Sequence, residues 1–142
     1  RITFFEEVIK ELELKDVICI HGRAEDLGKD KNYREGFDMC ASRAVAHLAV
    51  LCEYCLPFIK KGGSFYALKG QKLQQEQSES LVAIKTLGGE VLKIKDTPIP
   101  YTDITHNIIQ IGKVRQTPSQ YPRKAGTPSK EPIGIKKTDN IL

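Results

Sequence analysis

The sequence predicts a layered α/β domain built on a mostly parallel sheet, and three observations carry that prediction. Short runs of β-forming residues alternate with stretches of helical spacing, the pattern of strands joined by crossover helices. The run Val17-Ile-Cys-Ile20 is continuous and apolar, as in strands covered on both faces. Charged residues stand where the runs stop, at Glu25, Arg43 and Lys69, and in an open α/β sheet ligands sit at the carboxyl ends of strands.

Taken in order, Arg1–Leu14 places Ile2, Phe5, Ile9 and Leu12 at helical spacing with one face for burial. Val17–Ile20 is the first strand, followed by the loop His21-Gly-Arg-Ala-Glu-Asp26 and the polar, exposed Lys29–Glu35. Phe37–Ala41 is a second, buried strand. Ala46–Ile59 is a helix whose last turn Pro57 ends or bends. Lys60-Lys-Gly-Gly63 punctuates the chain before a third strand, Ser64–Leu68. Lys72–Leu87 is a long polar helix with an apolar stripe, stopped by Gly88-Gly89 in the manner of a glycine cap. Val91–Lys95 and His106–Val114 are the last strands; with no helix between them they are expected to pair as an antiparallel hairpin at one edge. The chain thus divides into a domain, residues 1–114, and a Pro-, Ser- and Lys-rich arm, 115–142, expected to carry no packed element.

With 142 residues and 40% hydrophobic composition, the chain suits one domain with a real core. No apolar run approaches the roughly 18 residues of a membrane span. No secretory signal opens it, and its 4 cysteines read as reduced thiols of a cytoplasmic protein. The net charge of +4 is uneven. Residues 113–137 hold seven cations against Glu131 alone, a net +6, which leaves the remainder at −2. A field concentrated at one end suits a polyanion partner.

Three strands ending side by side would gather Glu25, Arg43 and Lys69 around a common hollow. A carboxylate at Glu25 accepts hydrogen bonds from ribose hydroxyls or an adenine amino group, or is a solvated loop acid or helix cap. Arg43 needs anionic or polar partners, which a ligand or a nearby acid such as Asp38 would supply. Lys69 alone means little, since lysines are usually exposed. In the arm, Tyr121-Pro-Arg-Lys124 and Lys130 suit phosphate contact with base stacking, or are a solvated face. Cys52-Glu-Tyr-Cys55 has the spacing of a redox pair or half a metal site, with His47 as a further ligand, but it lies within a helix and has no second pair. No glycine-rich loop follows a strand; Gly62-Gly63 precedes one.

The stretches His21-Gly-Arg-Ala-Glu25, Asp38…Ser42-Arg-Ala-Val-Ala46, Tyr66-Ala-Leu-Lys-Gly70 and Thr117-Pro118…Tyr121-Pro-Arg-Lys124…Gly126-Thr-Pro128 resemble, in order and over nearly the whole chain, the bacterial 16S ribosomal RNA guanine-N7 methyltransferase family (RsmG, also called GidB). The resemblance implies a Rossmann-like class I methyltransferase fold using S-adenosyl-L-methionine. It implies 16S ribosomal RNA, or the small ribosomal subunit particle, as partner, with no role for DNA or a membrane. Ala24 and Glu25 would border the adenosine of the cofactor, and Arg43 would stand at its reactive end or face the RNA. Lys69, Arg123, Lys124 and Lys130 match basic positions for RNA phosphate. The family's N-terminal helical segment, glycine-rich cofactor loop and second-strand acid have no counterpart here. Arg1 falls in the helix after the family's second strand, so the chain reads as its C-terminal portion, truncated at the N-terminus. Guanine N7 carries a free lone pair and no proton, so the chemistry needs no general base and no catalytic residue is assigned. The alternative reading is a non-catalytic RNA-binding α/β module; a weaker one is a thiol or metal protein using Cys52 and Cys55.

Overall fold

The computed structural model describes residues 1–43, 46–70 and 72–136. Ala44 and Val45 of the motif above, and residues 137–142 of the arm, lie outside them. Helix α1 (Ile2–Glu11) forms over the predicted stretch, but none of its residues is buried. Its apolar stripe, expected to face a core, leaves Phe4 and Phe5 exposed. A second correction concerns Val17–Ile20, which forms no strand; the segment lacks regular structure and Ile18 is 83% exposed. A strand must pair its N–H and C=O groups with a neighbour, and this segment pairs with no strand of the described sheet.

That sheet has four strands, β1 (Phe37–Arg43), β2 (Ile59–Lys69), β3 (Gly89–Pro98) and β4 (Thr105–Lys113), in the order β1-β2-β4-β3. β1 and β2 are parallel, joined by α3 (Leu48–Cys55) and a 3-10 turn, Leu56–Phe58. β4 runs antiparallel to both neighbours, so the returning strand sits inside the sheet and β3 takes the edge. Burial of β1 on both faces is not found: as the other edge strand it leaves Phe37 and Met39 exposed. β2 begins at Ile59, earlier than the glycines suggested. Phe37 is level with Ile59 and Met39 with Ser64, so Lys60–Gly63 bulge out of the pairing, with Gly62 at a φ of +92° that favours glycine.

Alternation along the strands decides what is buried. Phe65 and Ala67 of β2 and Ile109 and Ile111 of β4 are fully buried, while Tyr66, Ile108 and Gln110 between them are not. Helices α3 and α4 (Leu73–Thr86) pack on one another and on the sheet, adding Leu48, Leu51, Leu73 and Ile84 to the core, with Leu56 and Leu87 just past their ends. The loop acid of the sequence reading opens a short helix, α2 (Ala24–Leu27), that packs on α3.

The arm is packed, contrary to its composition. Thr117, Pro122 and Pro128 are buried, and a short helix α5 (Thr127–Lys130) lies against α3. The Arg34 guanidinium donates to the carbonyls of Gly28, Thr117, Pro118 and Tyr121. Three core glutamates each accept an arm backbone N–H: Glu35 from Thr117, Glu53 from Arg123 and Glu25 from Gly126, at 2.8–2.9 Å. Hydrogen bonds to ionised acceptors are stronger than neutral ones, and together these fix a segment that has almost no regular structure of its own.

Candidate functional site

Arg43 is the last residue of β1, level with Leu68, and Lys69 is the last of β2, level with Asn107. Both therefore stand at the carboxyl edge of the sheet. Arg43 is exposed. Lys69 is turned inward, because it shares the face of Phe65 and Ala67. It is 6% exposed, its Nζ lies 2.6 Å from Glu76 Oε2, and it donates to the Ala46 carbonyl at 2.7 Å. The same Glu76 oxygen accepts from the Leu48 N–H at 2.9 Å, so the pair ties the starts of α3 and α4 to the end of β2. A buried pair so arranged is internal structure, since either charge left alone there would be costly.

Glu25 is 5% exposed, and its Oε1 accepts from the Gly126 N–H at 2.9 Å. The carboxylate thus holds the arm. What remains for a ligand at this turn is backbone: the N–H groups of Ala24 and Glu25 find no acceptor among the described residues. Both stand at the opening of α2, after extended Arg23, where they can meet acceptor atoms of a ligand. The expected convergence of Glu25, Arg43 and Lys69 on one hollow is not what their side chains do: the first turns to the arm and the last into the core. Asp38, the possible partner of Arg43, pairs with Lys60, whose ammonium holds its carboxyl below the usual range.

The basic residues from Lys113 onward are sorted by the same geometry. Arg123 is engaged by Glu53, and Lys113 is 1% exposed, donating to the carbonyls of Leu56 and Ile59 and pairing with Glu35 at 3.1 Å. Burial pushes the Lys113 ammonium's pKa down while Glu35 opposes the shift. Lys124 and Lys130 are exposed and available to a polyanion. Sequence reasoning could have placed Lys69 and Lys113 by parity, since each continues a buried i, i+2 series.

The CxxC is core. Cys52 is fully buried and Cys55 nearly so, all four cysteines are free, and no metal-binding cluster of His, Cys, Asp or Glu occurs among the described residues. His47 caps α3, its Nδ1 accepting from the Ala49 N–H at 3.2 Å while Nε2 meets Glu79 at 2.8 Å.

One feature of the carboxyl edge was not legible in the sequence. Between the start of α4 and the β3–β4 hairpin lies an open cleft of about 570 Å³. Leu73 and Ile94 line it together with Gln74, Gln77, Asp96 and Asn107. Asn107 Nδ2 donates to the Gly70 carbonyl at 3.1 Å, which fastens the hairpin to the end of β2. The signal that could have pointed here is the carboxamide-rich start of α4, Leu73-Gln-Gln-Glu-Gln77.

Solved structures define the class. The chain is similar to TYW2 of M. jannaschii in complex with AdoMet, at a TM-score of 0.53 and 16% identity over 79% of this chain and 53% of that one. It is also similar to an rRNA methylase from Streptococcus thermophilus, at a TM-score of 0.54 and 13% identity over 78% and 65%. The fold is thus α/β, Rossmann-like and methyltransferase-like, with a mixed sheet. The family profile described as "GidB: rRNA small subunit methyltransferase G" matches residues 1–104, and the chain belongs to that family. It is 56% identical over 133 residues to the ribosomal RNA small subunit methyltransferase G of Alkaliphilus oremlandii, and 47% identical to that of Lactobacillus acidophilus. In both cases the alignment takes in 94% of this chain, which spans 56% and 55% of the relatives' lengths.

Proposed function

We propose that the whole protein transfers the methyl group of S-adenosyl-L-methionine to N7 of a guanine in 16S ribosomal RNA, in the cytoplasm. The observation that carries this reading is the family match over residues 1–104, in a fold that ends its parallel strands at one charged edge. The cofactor, when bound, supplies a methyl group made electrophilic by a sulfonium. The chain's own part is to bind and orient. Main-chain donors at Ala24 and Glu25 hold the adenosine ring, and Arg43, exposed at the end of β1, stands at the reactive end or meets the RNA. Lys124 and Lys130 take RNA phosphates on an arm held in place by Arg123 and Glu25, while Lys69 supports the edge from inside. Guanine N7 has a lone pair and no proton to lose, so no side chain acts as a base. Orientation and exclusion of water supply the rate, worth up to roughly 7–11 kcal/mol in well-aligned reactions.

The test is S-adenosylhomocysteine affinity, with methyl incorporation into small-subunit RNA, for the full-length protein and its Arg43→Ala variant. Weakened cofactor or RNA affinity in the variant supports the assignment of Arg43, and unchanged affinity for both removes it. RNA binding with no methyl incorporation by the unaltered protein would replace the enzyme with an RNA-binding module.

A further inference from the structure

We propose that the cleft between α4 and the β3–β4 hairpin is the pocket for the acceptor base, and that Asp96 reads the Watson–Crick edge of its guanine. This rests on the methyltransferase reading above and adds to it the site of the second substrate. Four observations carry it.

The first is the chemistry of the lining. One carboxylate, Asp96, and three carboxamides, Gln74, Gln77 and Asn107, surround the cleft, and neither lysine nor arginine is among its lining residues. Such a set does not suit a phosphate, which draws cations. It suits a neutral ligand rich in donors and acceptors. The second is the apolar component: Leu73 and Ile94 offer a surface against which a flat ring loses its hydration. The third is that three of these four polar groups are unspent, the Asn107 amide being held by the Gly70 carbonyl. The side chains of Gln74, Gln77 and Asp96 make no hydrogen bond among the described residues. The fourth is position. Asp96 is level with Asn107, and Asn107 with Lys69, so the cleft opens at the edge where β2 ends, the edge at which ligands of such sheets sit. Its volume of about 570 Å³ also falls within the range of small-ligand pockets, ~300–1,000 Å³.

Guanine follows from the carboxylate. An ionised carboxylate only accepts hydrogen bonds, through two oxygens. Guanine offers two parallel donors, N1–H and an N2 amino hydrogen. Adenine presents a ring-nitrogen acceptor at N1, which a carboxylate repels. With the Watson–Crick edge on Asp96, N7 lies on the opposite edge of the purine, free for methylation. Single-stranded RNA is the form that presents such edges, since unstacked bases are splayed out and read there.

Guanosine, inosine and adenosine are titrated into the full-length protein and its Asp96→Asn variant, with the side-chain amide resonances of Gln74 and Asn107 observed by NMR. Inosine keeps N7 and N1–H but lacks the N2 amino group. Guanosine is expected to shift both resonances and to bind about tenfold more tightly than inosine, the scale of one lost hydrogen bond to a charged group. In Asp96→Asn that preference is expected to fall to about twofold or less. Equal affinity for guanosine and inosine, adenosine binding as tight as guanosine, or an undiminished preference in the variant would each overturn the proposal. S-adenosylhomocysteine is titrated into the same samples. Its binding without a guanosine response at the cleft overturns the base pocket alone, and binding of neither overturns the methyltransferase reading with it.

Discussion

Glu53 and Arg123 stand 70 residues apart in the chain and share four hydrogen bonds, three from the guanidinium and one from the Arg123 backbone N–H. Glu53 is fully buried in α3, whereas the Arg123 side chain keeps 26% of its surface exposed. The carboxylate raises the already high pKa of the guanidinium, so Arg123 keeps its charge. The asymmetry in burial predicts an asymmetry in cost. Arg123→Ala strands a carboxylate without water and is expected to lose about 3–5 kcal/mol, the scale of a broken buried pair. Glu53→Ala leaves an arginine that can swing into solvent and is expected to lose less. Urea denaturation of the two variants measures the order directly.

The same sorting separates two kinds of lysine. Lys124 and Lys130 are exposed, and Lys69 is clamped by Glu76 and the Ala46 carbonyl. Lys124→Ala and Lys130→Ala are each expected to reduce the salt slope of single-stranded RNA binding by about 0.7, one phosphate contact, and to leave the melting temperature unchanged. Lys69→Ala is expected to lower the melting temperature and leave the slope alone. Fluorescence anisotropy across a salt series, beside thermal melts, tells them apart.

Much of this fold is written locally. Gly88 ends α4 where a glycine cap was expected, at a φ of +90°, and the apolar run around Phe65 is the central parallel strand. The site is less local. Val17–Ile20 has the composition of a buried strand, yet strand formation depends on a neighbour that composition cannot supply. The arm reads as unstructured because its partners, Glu25, Glu35, Glu53 and Arg34, lie 80 residues or more away in most cases and carry no mark of their role. The edge cleft is invisible for the same reason: α4 and the hairpin that enclose it are separate in sequence, and neither side alone resembles a site.

His47 and Glu79 supply a pH-dependent contact. Nδ1 of His47 accepts from the Ala49 N–H, which leaves Nε2 to donate to Glu79, and Gln75 Nε2 donates to the other carboxylate oxygen at 2.9 Å. Bonds from Gln75 and then His47 hold the Glu79 carboxyl below its usual range. A depressed carboxyl stabilises the fold above its ordinary pKa, and the benefit fades as pH falls through the lowered value. Glu79→Gln is therefore expected to melt slightly earlier than the unaltered protein at neutral pH and to match it in strong acid. The difference shrinks in high salt, because the pair is at the surface. Melting curves at neutral and acidic pH, with and without salt, provide the check.

Cys40, Cys52 and Cys55 make a graded set of thiols around α3. Burial alone pushes the Cys52 thiol far up. Cys55 is raised by its hydrogen bond to Cys40 and then by burial, and the same bond lowers Cys40, which keeps partial access to solvent. Alkylation needs the thiolate and a path to it. In the folded protein at mildly alkaline pH, Cys40 is therefore expected to label first of the three and Cys52 last, with Cys52 and Cys55 reacting readily only after denaturant is added. Mass spectrometry of iodoacetamide-treated peptides gives the order. A Cys52 that labels as fast as Cys40 would show that α3 opens to solvent, and that the Cys52-Glu-Tyr-Cys55 spacing is open to redox or metal chemistry after all.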